Sequence, residues 1–77
     1  MTDLEQKIME ILTSISNRNI GNVDETTRIA EDLGLKSASR IELAAVLEEH
    51  FKVSISNMDI RKPKTVGDVI GLVRSKL

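Results

Sequence analysis

The chain has 77 residues, so its length allows one domain with a single modest core over residues 1–77. Eleven basic and twelve acidic side chains give a formal net charge of -1, and Phe51 is the only aromatic residue. The small net charge provides no global field that would steer nucleic acid to the protein, and a single aromatic residue excludes a surface on which bases stack. The lack of cysteine excludes disulfides.

No targeting or membrane segment is evident in the sequence. Residues 1–5 lack a basic stretch followed by an apolar run, and no segment approaches the roughly 20 apolar residues that span a bilayer. We therefore expect a monomeric, cytoplasmic protein that contacts neither membrane nor nucleic acid.

A first helix is predicted over residues 4–15, where apolar residues recur at helical spacing. Thr2 and Glu5, three residues apart, form a candidate capping box at its start. Asn17, with Gly21 beyond it, marks the expected end.

Residues 16–36 are predicted to form a long connection, because they contain asparagine and glycine without a sustained helical period. Gly34 is expected to permit a tight turn, and residues 31–33 to form a short helical turn. The apolar residues of this segment are too many for a free linker, so several should be buried across the helices. They are Ile20, Val23, Ile29, Leu33 and Leu35.

A second helix is predicted from Ser37 or Ser39 to His50. Its start is open, because Ser37 could act as the cap, whereas Ser39 forms a capping box with Glu42. The residues expected to face the core are Ile41, Ala44, Ala45, Leu47 and Phe51. The residues expected to be largely exposed are Arg40, Glu48 and Glu49.

The remaining chain predicts a loop, a short helix and a final helix. Val53 and Ile55 alternate with serines, but no second strand exists to pair with them, so this segment is predicted as loop. Residues 57–61 are expected to form one helical turn before Pro63. Thr65 is expected to cap the final helix in a box with Asp68. Its apolar stripe is Val66, Val69, Ile70, Val73 and Leu77.

The predicted fold is therefore all-α: a small four-helix bundle with three longer helices, one short helix and a long first loop. One histidine, no tyrosine and no cluster of metal ligands argue against an enzyme. His50 is better explained by its favourable position at a helix C-terminus than by catalysis. Gly34 has no companion glycines for a phosphate loop, and the basic residues of 61–64 are expected to form a solvated loop rather than a binding patch.

The segment around Ser37 resembles the acyl and peptidyl carrier family. That family's signature places leucine, glycine, one residue and then Asp-Ser-Leu at the start of the second helix, and Leu33, Gly34 and Ser37 match it. The order of elements is similar along the whole chain, which implies an acyl-carrier-like fold. The downstream matches are Ile41, Glu42, Leu43, Leu47, Glu48, Glu49, Phe51 and Ile55.

The resemblance implies a 4'-phosphopantetheine arm attached to Ser37, whose thiol carries acyl or aminoacyl groups as thioesters. Independently of the resemblance, a phosphodiester at a helix N-terminus lies beside unsatisfied N–H groups and the positive end of the helix dipole. Ser39 is the second candidate for attachment, and either serine could instead only cap the helix. The implied partners are a phosphopantetheinyl transferase and the enzymes that load and process the cargo.

Two residues beside Ser37 depart from the family signature: Lys36 replaces the usual aspartate and Ala38 the usual leucine. The resemblance to fatty-acid carriers implies an acidic second helix, but here the first half of the helix is basic. We therefore predict a specialised carrier, in lipid, polyketide or related biosynthesis. The alternative is an unmodified carrier-like domain that acts as a protein-binding adaptor. The predicted partner-binding residues are Lys36, Ala38, Arg40, Glu42, Glu48 and Glu49.

Overall fold

The described part of the chain contains four α-helices joined by loops. The computed structural model describes residues 2–16, 18 and 21–77. Over these ranges the helices are α1 (Asp3–Ile15), α2 (Ser37–Phe51), α3 (Asn57–Arg61) and α4 (Val66–Lys76). This confirms the predicted all-α fold with three longer helices and one short helix. Asn17 and Ile20, which entered the predictions for the first loop, lie outside the described residues.

Capping boxes close the N-termini of α1 and α4, as the sequence predicted. The Thr2 hydroxyl accepts a hydrogen bond from the Glu5 N–H at 3.2 Å, and the Glu5 carboxylate accepts one from the Thr2 N–H at 2.9 Å. Thr65 and Asp68 make the same reciprocal pair at α4. A third box, Ser56 with Asp59 at α3, was not predicted. Each box satisfies backbone N–H groups that have no partner within their own helix.

Buried apolar side chains from all four helices, the long first loop and the short loop before α3 form one core. Burial of these side chains is the main favourable contribution to the stability of a bundle this small. The members of the core are Ile8, Met9, Ile11, Leu12, Ile29, Leu33, Leu35, Leu43, Ala44, Leu47, Ile55, Ile60, Val66, Val69, Ile70 and Val73. No helix in the described ranges combines the length and apolar character that crossing a bilayer requires.

The first loop lies across the bundle, as predicted, and buries Ile29, Leu33 and Leu35. Its backbone is bound to the start of α4, because the Ile29 N–H donates to the Lys64 carbonyl at 2.9 Å. Residues 29–33 form hydrogen-bonded turns rather than a helix. The loop therefore holds a fixed path towards the start of α2.

The predicted inward face of α2 was partly wrong. Ile41 is 55% exposed and Ala45 is exposed, whereas Leu43 is 1% exposed, although Ala44 and Leu47 are buried as predicted. Helical spacing gives the period of a buried stripe, and the elements packed against the helix decide which way that stripe faces.

Two large side chains predicted to be buried also differ from expectation, for a simpler reason. Phe51 is only half-buried because it is the last residue of α2. Leu77 is 69% exposed because it follows the end of α4. Side chains at a helix end have fewer neighbouring elements to cover them.

Candidate functional site at the N-terminus of α2

Ser37 is the first residue of α2, and its side chain is exposed. The residue in the N-cap position is Lys36, whose extended backbone (φ -104°, ψ -170°) is ordinary for that position. A lysine ammonium cannot accept a hydrogen bond, and no side chain caps this helix. The predictions that Ser37 caps α2 and that Ser39 forms a capping box with Glu42 were therefore both wrong.

The N-terminus of α2 consequently keeps free hydrogen-bond donors. The first backbone bond of the helix runs from the Arg40 N–H to the Lys36 carbonyl at 2.9 Å. The N–H groups of Ser37, Ala38 and Ser39 precede that bond and have no helical acceptor. The first turn also contains no acidic residue to offset the positive end of the helix dipole. An anion attached at Ser37 would find both donors and a favourable field.

The turn before Ser37 is tightly held. Gly34 has a φ of +71°, in the left-handed region that glycine adopts at low cost, which confirms the turn predicted there. A Cβ atom at this position would lie 2.7 Å from the Arg18 side chain. The Arg18 guanidinium donates to the Glu31 carbonyl, and the Ser16 hydroxyl donates to the Leu33 carbonyl at 2.7 Å. These contacts tie the end of the first loop to the segment that follows α1.

A small cleft of about 40 Å³ opens between the start of α2 and α3, beside Ser37. It is lined by Ser37, Arg40, Ile41, Asn57, Ile60 and Arg61. Arg40 and Arg61 are its charged residues. Nothing in the sequence indicates that Arg61 lies here, because its place depends on how α3 packs against α2.

Arg40 has a structural role that the sequence analysis missed. It was expected to be largely exposed, but it is half-buried, and its Nη1 donates to the Ile60 carbonyl at 2.9 Å and to the Pro63 carbonyl at 2.7 Å. These two bonds join the first turn of α2 to α3 and to the loop after it. Arg40 thus holds α3, which forms the other side of the cleft, against α2.

Glu48 was also expected to be largely exposed, and this too was wrong. It is half-buried, and its Oε2 accepts a hydrogen bond from the Ile55 N–H at 3.0 Å, which secures the loop before α3. Glu49 is exposed as predicted. Lys36, Ala38 and Glu42 are exposed as well, so they remain accessible to a partner.

His50 lies in the last turn of α2, where a cationic imidazole interacts favourably with the helix dipole. Its ring meets the Phe51 ring edge-on, with centroids 4.9 Å apart. This geometry is typical of aromatic packing.

Comparisons with known proteins agree with this arrangement. The sequence pattern of the family described as "Phosphopantetheine attachment site" matches residues 6–73. An acyl carrier protein from Wolinella succinogenes is 35% identical over 68 residues, which cover 88% of this chain and 90% of the relative. One from Rickettsia bellii (strain OSU 85-389) is 31% identical over 72 residues, covering 94% and 89%.

A solved structure assigned as an acyl carrier protein from Mycobacterium tuberculosis superposes with a TM-score of 0.83. It is 30% identical and covers 96% of this chain and 99% of its own. The family match and the shared fold thus define a phosphopantetheine carrier domain, and acyl carrier proteins are carriers and not enzymes. The chain belongs to the acyl carrier protein family.

The residues at the start of α2 fit the phosphodiester of such a cofactor. The Ser37 hydroxyl is exposed and makes no hydrogen bond to any described residue, so it is accessible for modification. The N–H groups at positions 37–39 suit the resulting anion. When bound, phosphopantetheine supplies the thiol that this cysteine-free chain lacks.

Proposed function

We propose that Ser37 carries a 4'-phosphopantetheine arm and that the chain presents acyl or aminoacyl groups, bound to this arm as thioesters, to partner enzymes. The observation that supports this most strongly is the uncapped start of α2, where an exposed hydroxyl lies next to free backbone donors. A serine needed only for structure would be expected to cap the helix, and Ser37 does not.

The site also explains how the chain could work with a long swinging arm. The turn before Ser37 is fixed, so the base of the arm keeps one position while the arm itself moves. Attachment at a loop-to-helix junction leaves the modified side chain open to several enzymes in turn. The expected partners are a phosphopantetheinyl transferase and the enzymes that load and process the cargo.

The pathway is proposed to be a specialised one, in lipid, polyketide or related biosynthesis. Lys36 and Ala38 are both exposed beside Ser37, so a partner that approaches the serine meets a cation and a small side chain. In the family signature the same positions hold aspartate and leucine. Partners matched to those residues would be disfavoured here, since like charges across an interface can cost several kcal/mol.

The same two residues favour a second candidate function, that of an unmodified adaptor that binds proteins through the carrier fold alone. In that case Ser37 would stay a free serine. The two functions differ in covalent mass, so they can be separated without knowledge of the cargo.

The test is the intact mass of the chain after co-expression with a broad-specificity phosphopantetheinyl transferase. We expect the mass of one arm to be added to the wild type and to Ser39→Ala, but not to Ser37→Ala. Circular dichroism should show that Ser37→Ala folds, because its hydroxyl makes no bond to a described residue. An arm mapped to Ser39 would contradict the site, and an unmodified wild type would favour the adaptor.

A further inference from the structure

Charge is distributed unevenly along this chain, although its net charge is only -1. Residues 33–41 and 57–64 together contain five of the eleven cations and only one of the twelve acids. Most of the acidic residues therefore lie in the rest of the chain. The five cations are Lys36, Arg40, Arg61, Lys62 and Lys64.

The fold brings these two segments together at Ser37. Arg40 and Arg61 line the cleft beside the serine, and Lys36 precedes it. The one acid of the two segments, Asp59, lies 3.1 Å from Lys76 on α4. The ion pairs found among residues 2–16, 18 and 21–77 include none of Lys36, Arg40 and Arg61. These three cations therefore have no carboxylate at ion-pair distance among the described residues.

Exposed apolar side chains accompany this charge. Ile41, which lines the same cleft, is 55% exposed, and Met58 on α3 is 70% exposed. Exposed large hydrophobic residues beside a functional group commonly mark a surface that another molecule covers. The residues Lys36, Ile41 and Arg61 are referred to below as the basic face.

We infer that the basic face docks on partner proteins whose contact surface is acidic around an apolar centre. The inference rests on the proposed function, because the docked partner must reach the arm on Ser37. Complementary charges at an interface accelerate encounter and reject partners of the wrong sign. The sequence alone favoured a solvated loop for residues 61–64, but the position of Arg61 in the Ser37 cleft gives that cation a place in this surface.

A protein fits these observations better than a membrane. The guanidinium of Arg40 is engaged with two carbonyls, so Lys36 and Arg61 are the cations that project freely beside Ser37. Each cation near an anionic lipid surface contributes about 1 kcal/mol, so two of them are too few for stable membrane binding. The acidic residues in the rest of the chain would also be repelled by anionic lipids.

The experiment uses the phosphopantetheinyl transferase encoded in the same genome, since it must reach Ser37 directly. Its kcat/KM is measured on wild type and on Lys36→Glu/Arg61→Glu at low and high ionic strength. The control Lys52→Glu/Arg74→Glu changes the net charge equally. Lys52 follows the last residue of α2, roughly 20 Å along the helix from Ser37.

We expect the basic-face reversal to lower kcat/KM by about tenfold or more at low salt, with the difference shrinking as salt rises. The control should stay within about twofold of wild type. An equal loss in the control, no loss, or a faster reaction would overturn the inference. If the reversal unfolds the chain, the single variants Lys36→Gln and Arg61→Gln replace it, and each should lower kcat/KM at low salt. An unchanged kcat/KM in both single variants would overturn the inference.

Two further results separate the possible failures. If wild type receives no arm on Ser37 from any transferase, the proposed function fails. If the arm is attached to Ser37 at a rate that does not depend on salt, only the inference that partners have an acidic contact surface is overturned. Wild type is also sedimented with phosphatidylglycerol vesicles at 0.1 M salt. No binding is expected, and binding that Lys36→Glu/Arg61→Glu abolishes would assign the basic face to lipid instead.

Discussion

The N-terminus of α2 differs from the N-termini of the other three described helices. Thr2, Ser56 and Thr65 each begin a helix with a hydroxyl that accepts a backbone hydrogen bond, and each is followed by an acid that completes the box. At α2 the corresponding residue is Lys36, and the first turn has neither cap nor acid. Three ends are thus closed by their own side chains, and the fourth leaves its donors free.

This difference separates structural serines and threonines from a candidate functional one. The same short pattern, a hydroxyl followed three residues later by an acid, occurs at all the closed ends and also at Ser39 and Glu42. Only where the pattern coincides with the true helix start does it cap. A free hydroxyl at an open helix end is therefore a stronger indication of modification than a serine in a favourable sequence pattern.

The largest effect on stability is expected at Arg40, beside the open end. Arg40→Ala removes the donor to the Ile60 and Pro63 carbonyls and should lower the free energy of unfolding by about 1.5–3 kcal/mol, the usual range for hydrogen bonds to charged groups. Urea unfolding gives the value. Arg61→Ala is the matched control in the same cleft and should change it by less than about 0.5 kcal/mol. Equal losses would mean that Arg40 does not join α2 to α3.

A smaller effect should distinguish a closed end from the open one. Thr65→Ala removes a cap and should lower the free energy of unfolding by about 1 kcal/mol. Ser37→Ala removes no cap and should change it by less than about 0.5 kcal/mol. Both values come from the same urea titration. A loss at Ser37 as large as that at Thr65 would show that Ser37 is a structural residue.

Closing the open end should stabilise the protein by a similar or smaller amount. Asparagine at the N-cap position can accept a backbone hydrogen bond, so Lys36→Asn should raise the free energy of unfolding by about 0.5–1 kcal/mol. Lys36→Asp caps equally but also reverses the charge, so any difference between the two variants in arm transfer reports charge alone. A Lys36→Asn variant no more stable than wild type would mean that the N–H groups of α2 are already satisfied.

The smallest expected effect is a dependence of stability on pH, which arises from the acids of the capping boxes at the closed ends. The Thr2 N–H and then the Thr2 hydroxyl lower the pKa of Glu5 from 4.5 to about 2. Because the folded-state pKa is the lower one, ionised Glu5 stabilises the fold above pH 4.5, and this contribution is lost as the pH falls through about 2.

The melting temperatures of wild type and Glu5→Gln, measured from pH 6 to pH 2, should therefore converge as the pH falls. Thr2→Ala should keep part of this pH dependence, since it removes the hydrogen bonds of the Thr2 hydroxyl but leaves the backbone N–H that donates to the Glu5 carboxylate. A difference between wild type and Glu5→Gln that stays constant over this range would show that the capping box does not hold the carboxylate ionised.

Much of the fold could be predicted from the sequence because its signals are local. The caps at Thr2 and Thr65 depend on residues three apart, and the helices they begin depend on a regular apolar period. For the start of α2 the local patterns left Ser37 and Ser39 open, and the helix begins at Ser37. Both serines offered a cap in the sequence, but the N-cap position is held by Lys36, which local patterns did not indicate.

The candidate site could be approached from the sequence only in part. Ser37 is proposed from its resemblance to a family signature, and the open helix end supports that proposal. The structural roles of Arg40 and Glu48, the exposure of Ile41 and the position of Arg61 all depend on contacts between α2 and distant segments. Helical spacing carries no information about such contacts.

The most direct test of the account compares backbone amides at the open and closed helix ends before and after the arm is attached. In ¹H–¹⁵N spectra, the amide protons of Ala38 and Ser39 should move downfield and exchange more slowly with solvent in the modified protein, because the phosphodiester gives them an acceptor. The amides of Glu5, Asp59 and Asp68 already have their caps and should change little. If a protein whose mass shows the arm on Ser37 leaves Ala38 and Ser39 as unchanged as the capped amides, the open end of α2 does not hold the phosphodiester and the central claim is contradicted.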